Sequence, residues 1–343
     1  MTIQIRTFDL DTAPDGELAG YHSMLSAAWV IDYPEDPPIT YETALGRLRA
    51  PSLVGEVCTF WAAYLGERLV GLATVTLADK ENAGIVRVGI TVHPELRRQG
   101  IGSALLRAVM PAVLESGREV LIGVAMKPDS AAAAWTTGRL GFRVSHSTVL
   151  QVLKIASVPA RLWDVEVPSG YRLARWIGAV PDKLLDSYAA ARPAVEDAPM
   201  GQSSFRLMVF TADRIRELER EFAESGVEER VVVAIEDATS QIVGITGMLN
   251  YPHRLEVGYQ SDTSVLAGHR GHGLGRVMKA AMMRWIVSER PDIEHISTVT
   301  AAENTYMRKV NDALGYSTTR TMIWVETTTT QLADKLASIP TPS

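Results

Sequence analysis

Two stretches of the chain place glycine where a helix is about to start. "HPELRRQGIGSALLRAVM" contains Arg97, Arg98, Gly100, Gly102 and Ser103, and "AGHRGHGLGRVMKAA" contains Ala267, Arg270, Gly271, Gly273, Gly275 and Arg276. Glycine has no Cβ, so main-chain amides at these positions can meet a ligand closely. The first turn of a helix leaves its amides without intrahelical partners, and its dipole favours anions. Each stretch therefore reads as a cradle for phosphate, with Arg97 or Arg270 close by. Just ahead of the second, "HRLEVGYQSDTSV" carries Glu256 and Asp262. On a strand, residues six apart share a face, and carboxylates there are candidates for general-base work. The matching stretch of the first half, "NAGIVRVGITV", has no carboxylate.

Two familiar phosphate-binding motifs are excluded by spacing. A P-loop requires Lys-Ser or Lys-Thr after its glycines, and neither stretch has it. A dinucleotide fingerprint requires G-x-G-x-x-G in an early βαβ unit; residues 271–275 read G-x-G-x-G after strands that look hairpin-connected. His269 and His272 form H-x-x-H without a nearby cysteine, and no metal site is expected.

The elements that must carry these loops occur twice. Val70-Gly71 matches Val243-Gly244, Arg97 matches Arg270, and Gly100 and Gly102 match Gly273 and Gly275, every pair 173 residues apart. "RLGFRV" and "ALGYST" repeat one residue further out, at Gly141 and Gly315. Each copy begins with a short strand and two helical stretches, followed by hairpin-connected strands. A further strand then feeds the glycine loop and an amphipathic helix, and a strand, a short helix and a last strand follow. The expected fold class is α/β (α+β), two tandem domains with mixed, mainly antiparallel sheets. The expected boundaries are 1–154 and 169–330, with 155–168 as a linker and 331–343 as a helix and frayed C-terminal tail.

Composition agrees with an ordinary globular protein. The 343 residues exceed the usual size of a single core, with 46% hydrophobic and 22% charged residues. A net charge of −6 gives no basic field for nucleic acid, and no apolar run reaches membrane-spanning length. The single cysteine, Cys58, precludes an internal disulfide, and the first residues lack a signal pattern, so a cytoplasmic location is expected.

With V-x-P-x-x-R-R-x-G-I-G at 92–102, V-x-x-x-x-R-G-x-G-L-G at 265–275 and two LG-aromatic turns, the sequence resembles the GNAT superfamily of acyl-CoA-dependent N-acetyltransferases. The resemblance spans the chain as two tandem domains, an architecture similar to that of mycothiol synthase-type acetyltransferases. It implies that acetyl-CoA is the acyl donor, with its pyrophosphate on the loop amides and its pantetheine arm pairing with backbone near Val92 or Val265. It also implies direct attack by a primary amine of a small molecule in a ternary complex. Family members often place an Asn against the pantetheine and a general-acid Tyr seven residues later. The second half has Asn304 and then Asn311, with Tyr306 as a substitute acid; the first half has Ser130 and Thr137. Acceptors in this superfamily lie partly under the loop between the first two helices, where Glu196 and Asp197 could hold a cation. These features favour chemistry in the second half. Two alternatives stay open: a non-catalytic acyl-CoA sensor, and the same chemistry in the first half, whose V-x-P loop is the fuller match.

Overall fold

The computed structural model describes residues 3–49, 56–197 and 201–339. The first copy runs β1 (Ile3–Phe8), α1 (Asp15–Asp32), α2 (Tyr41–Arg49), β2 (Val57–Leu65), β3 (Arg68–Leu77) and β4 (Ile85–Val92). It continues through α3 (Ile101–Glu115), β5 (Val120–Met126), a short α4 (Ala131–Ala133) and β6 (Arg143–Lys154). The second copy runs β7 (Tyr171–Ile177), α5 (Leu185–Ala191), α6 (Ala212–Glu224), β8 (Glu228–Glu236), β9 (Ile242–Asn250) and β10 (Val257–Val265). It ends with α7 (Leu274–Glu289), β11 (His295–Ala301), α8 (Thr305–Ala313), β12 (Ser317–Thr328) and α9 (Thr329–Ser338).

The compact units are not the two halves of the sequence. One comprises Met1–His146, Gly201–Arg206 and Met322–Ser343; the other comprises Ser147–Met200 and Leu207–Thr321. The cause is an exchange of last strands. β12 pairs antiparallel with β5, Ile323 opposite Met126 and Thr328 opposite Val120. β6 pairs antiparallel with β11, Thr148 opposite Ala301 and Lys154 opposite His295. Each unit thus completes its sheet with a strand from the other copy, and the expected boundaries at 154 and 169 differ from the observed ones.

In the first unit the order β1-β2-β3-β4-β5-β12 is antiparallel except for the parallel pair β4/β5. Ile101, Leu105 and Val109 of α3 pack on Val70, Val86 and Leu121, and Leu332 and Leu336 of α9 close that core. The helix expected in the C-terminal segment is α9, which packs into this core and ends at Ser338, while 340–343 lie outside the described residues. On the opposite face Leu18, Met24 and Trp29 of α1 cover Phe60, Ala62 and Leu72.

The second unit repeats the plan in the order β7-β8-β9-β10-β11-β6, with β10/β11 as its parallel pair. Val277, Met278, Met282 and Trp285 of α7 pack on Val232, Val243 and Met248. Tyr188 of α5 and Ile215 of α6 cover Val231, Val233 and Ile245 on the other face. Trp163, within the stretch expected as a linker, belongs to the α7 core; it is 2% exposed and its Nε1 donates to the Leu314 carbonyl at 3.0 Å. An indole burying this much apolar area fixes its backbone, so 155–168 is an integral part of the second unit.

Candidate active site

The glycine loops have one shape, built twice. A 3-10 turn (Pro94–Leu96; Ala267–His269) leaves the strand, and Gly100 (φ 86°) or Gly273 (φ 76°) caps the helix in the left-handed region. Two residues earlier the same region holds Gly271 (φ 84°) and, in the first copy, Arg98 (φ 65°). The helical ladders begin with Ala104 N–H to Gly100 O and Val277 N–H to Gly273 O. The amides of 101–103 and 274–276, including Ser103 and Arg276, precede them and point out of the helix start.

Gly102 and Gly275 answer a different need. Both lie in the first helical turn, neither has a positive φ, and a Cβ on either would find its nearest atom 3.9 Å away, at Val92 Cγ2 and Thr263 Cγ2. Neither the turn nor the packing requires glycine there. The bare backbone there leaves room for an anion such as a diphosphate to approach the first-turn amides.

The arginines expected beside that diphosphate also bond to the chain itself. Arg97 Nε donates to the Val92 carbonyl at 3.1 Å, and Arg270 Nε donates to the Val265 carbonyl at 3.0 Å. Arg97 also grips Asp32 of α1 through two hydrogen bonds of 2.7 Å. These side chains set the angle between strand and loop. They also donate to the carbonyls of Val92 and Val265, where the pantetheine arm is expected, and each oxygen keeps a second lone pair at the strand edge. That edge exists because the parallel pairs part early: β10 is matched to β11 only from Val257 to Tyr259, and β4 to β5 only from Ile85 to Val88. Beyond these points β4 and β10 present an unpaired edge along which an extended amide-bearing arm can lie. Ala267 sits in the 3-10 turn where that edge meets the loop.

The two carboxylates of the second strand are not brought together. Glu256 precedes β10 at its far end, nine residues from Val265, roughly 30 Å at strand rise. It is exposed and pairs with Arg254 at 3.3 Å. Asp262 lies in a β-bulge, a register shift between Gln260 and Thr263 that β4 lacks. Gln260 Nε2 and Thr263 Oγ1 both reach Thr246 Oγ1, at 2.9 and 2.7 Å, so they share a face although an odd number of residues apart. Asp262 is thereby turned to the opposite face. There its Oδ2 accepts from Arg192 Nη2 at 3.1 Å.

Arg192 opens the connection between α5 and α6, and Phe210 closes it. The guanidinium is buried, stacked 3.8 Å from the Phe210 ring centroid and 5.8 Å from that of Tyr188. Burial pushes the Tyr188 phenol far above its usual range. Glu229, on the same face of β8, was not flagged by the sequence reading. It is half-buried, and desolvation raises its carboxyl to about 7, against the opposing pull of Arg192 and with help from Glu219 and Asp262. Glu196 and Asp197 end the 3-10 turn Arg192–Asp197, and their side chains lie outside the described residues.

The residues expected to handle pantetheine and the leaving thiol have structural positions. Asn304 caps α8, its Oδ1 accepting from Met307 N at 3.0 Å, as Ser130 Oγ accepts from Ala133 N at 3.1 Å in the first copy. Tyr306 is 60% exposed on the first turn of α8. Asn311 is fully buried, its Nδ2 donating to Gln151 at 2.8 Å.

Family models place these features. Residues 18–142 match the Acetyltransferase (GNAT) family and residues 186–317 match an Acetyltransferase (GNAT) domain. The chain belongs to the GNAT acetyltransferases, with two such domains in tandem, and is a GNAT-type N-acetyltransferase of the class that moves acyl groups from acyl-CoA. Among solved structures it is similar to a tandem GNAT protein from the clavulanic acid biosynthesis pathway, at 23% identity and a TM-score of 0.77, covering 96% of this chain and 99% of that one. A GCN5-related N-acetyltransferase from Sphaerobacter thermophilus aligns at 15% identity and a TM-score of 0.71, covering 95% and 96%. At these identities the likeness is one of fold. No curated protein matches the sequence.

Proposed function

We propose that the second unit transfers an acetyl group from acetyl-CoA to a primary amine of a small molecule, by direct attack in a ternary complex. The observation that carries the reading is the pair of first-turn glycines, Gly102 and Gly275, which nothing inside the chain requires. The diphosphate would lie on the amides of 274–276, and the pantetheine arm along the open edge of β10 from Val265 toward the bulge. The thioester would then reach the sheet near Ser261 and Asp262, with the acceptor entering from the α5/α6 face. Asp262 and Arg192 form the charged pair beside that point.

The first unit keeps the loop but differs around it. Asp32 sets a carboxylate against Arg97 next to the glycines, which opposes a bound anion. β4 has no bulge, and the position opposite Thr76 that corresponds to Glu229 opposite Leu249 is Cys58. These differences support a non-catalytic role for that unit. The test is calorimetry with acetyl-CoA together with thiol release in the presence of a polyamine, an amino sugar, an aminoglycoside and a peptide N-terminus. Heat with turnover supports the proposal, heat without turnover supports the sensor reading, and no heat removes both.

A further inference from the structure

The face of β8, β9 and β10 beneath Arg192 and Phe210 holds a carboxylate that the fold leaves uncommitted. Most acidic side chains around it are tied down: Asp262 accepts from Arg192, and Glu219 accepts from Val180 N at 2.7 Å and from Arg216 at 2.6 Å. Among the described residues no hydrogen bond or ion pair reaches the Glu229 carboxylate, although its backbone carbonyl accepts from Gly178 N at 2.8 Å. Alternation along β8 and β9 turns Glu229 toward the same face as Val231, and Gly247 toward that of Ile245. A Cβ on Gly247 would meet Ser261 Oγ at 2.5 Å and Glu229 Oε1 at 3.9 Å. The missing Cβ thus lets Ser261, the first residue of the bulge, settle between Glu229 and the open edge of β10. Three strands contribute, and all three features converge where the bulge lies.

An unpaired carboxylate beside a buried guanidinium that Asp262 already neutralises selects for a cation. The buried Arg192 charge is answered by Asp262, while Glu229 has no such partner. From this geometry we infer that Glu229 is the acceptor-binding carboxylate of the second unit and takes the proton of the incoming ammonium. The inference rests on the acyltransferase reading. The ammonium R–NH3+ gives one proton to the Glu229 carboxylate, and the freed lone pair attacks the thioester carbonyl carbon. A C–N bond forms, the C–S bond breaks, and the second nitrogen proton leaves with the thiolate as CoA thiol. The neutral Glu229 then returns its proton to water. A carboxyl that titrates near neutrality is matched to this task. The acceptor class is a compact primary amine with no anionic group beside the nitrogen.

The test uses full-length protein labelled at the glutamate side-chain carboxyl carbon, titrated by NMR with and without n-propylamine. The resonance missing from Glu229→Gln identifies the site. Propylammonium should lower its midpoint by about one pH unit, as an opposite charge within contact distance does, and Glu229→Asp should retain part of the response. An unchanged midpoint in the presence of the amine overturns the inference. Calorimetry with acetyl-CoA on wild type and Glu229→Gln separates the two readings: equal heats leave the acyl-donor site standing whatever Glu229 does, and absent heat in both removes the donor site while the amine titration still reports on Glu229.

Discussion

Arg192 and Asp262, seventy residues apart in sequence, meet at 3.1 Å because a one-residue bulge turns Asp262 to the α5/α6 face. The pair governs its neighbour. Arg192 lowers the Glu229 carboxyl and Asp262 raises it, so removing Asp262 leaves the guanidinium to act on Glu229 unopposed. Asp262→Asn should therefore move the acidic limb of the pH–rate profile to lower pH. It should also destabilise the second unit by about 1–3 kcal/mol, because a buried guanidinium loses its charged acceptor. Chemical denaturation and kcat/KM against pH check the two halves of this expectation, and an unmoved limb would uncouple Asp262 from Glu229.

Gly102→Ala and Gly275→Ala separate folding from binding. Alanine is favoured over glycine inside a helix by about 1 kcal/mol, and the space around each position accepts a methyl group. Each variant should unfold at a higher denaturant concentration than wild type and bind acetyl-CoA more weakly. Comparing the two by calorimetry shows which unit supplies the observed heat. A variant that is more stable and binds as well as wild type would show that the cradle in that unit holds no ligand.

The loops were legible in the sequence because everything that shapes them is local: glycines, a helix start and an offset of 173 residues that exposes the duplication. The exchange of β6 and β12 was not, because strand pairing is a long-range choice and both strands carry the same LG-aromatic lead-in. The site suffered from a similar blindness. Counting alternate residues put Glu256 and Asp262 on one face, and the bulge, which depends on how β10 pairs with β9, reversed that. Glu229 lies in the charged run "DRIRELEREFAESGVEER", which reads as a solvated helix, whereas α6 ends at Glu224 and β8 begins at Glu228. Only the arrival of Arg192, Gly247 and Ser261 from other elements makes it distinctive. Tyr306 follows the Asn304 cap, and its helical phase leaves it 60% exposed.

Arg98 holds the left-handed conformation that its counterpart Gly271 adopts without steric penalty. A side chain in that region is unfavourable by about 1 kcal/mol. Arg98→Gly should thus stabilise the first unit by about that amount, with the circular-dichroism midpoint rising. Gly271→Arg should lower stability by a similar margin. If Arg98 additionally contacts a phosphate in the first unit, Arg98→Gly will weaken acetyl-CoA binding there while raising stability. Opposite signs in the two measurements would assign it a ligand; a gain in stability alone would leave it as strain.

Lys279 is the largest fully buried side chain of α7, 1% exposed, with its ammonium 5.1 Å from the centroid of Tyr316 and no carboxylate partner among the described residues. Desolvation lowers its pKa to about 7 from the usual 10.5. Between those values the unfolded chain holds the proton and the folded chain does not, so the stability of the wild type rises with pH across that window, by up to about 1.4 kcal/mol per pH unit. Below about 7 both states are charged and the full penalty of burying an ammonium is present. Lys279→Met keeps the length of the side chain, removes the charge and suits an apolar site. The variant should be more stable than wild type, most of all below about pH 7, and its advantage should shrink steadily toward pH 10. Denaturant midpoints of both proteins across that range measure the slope. A constant difference between them would mean that the Lys279 ammonium is not desolvated in solution, and that α7 opens enough at its middle to let water reach it.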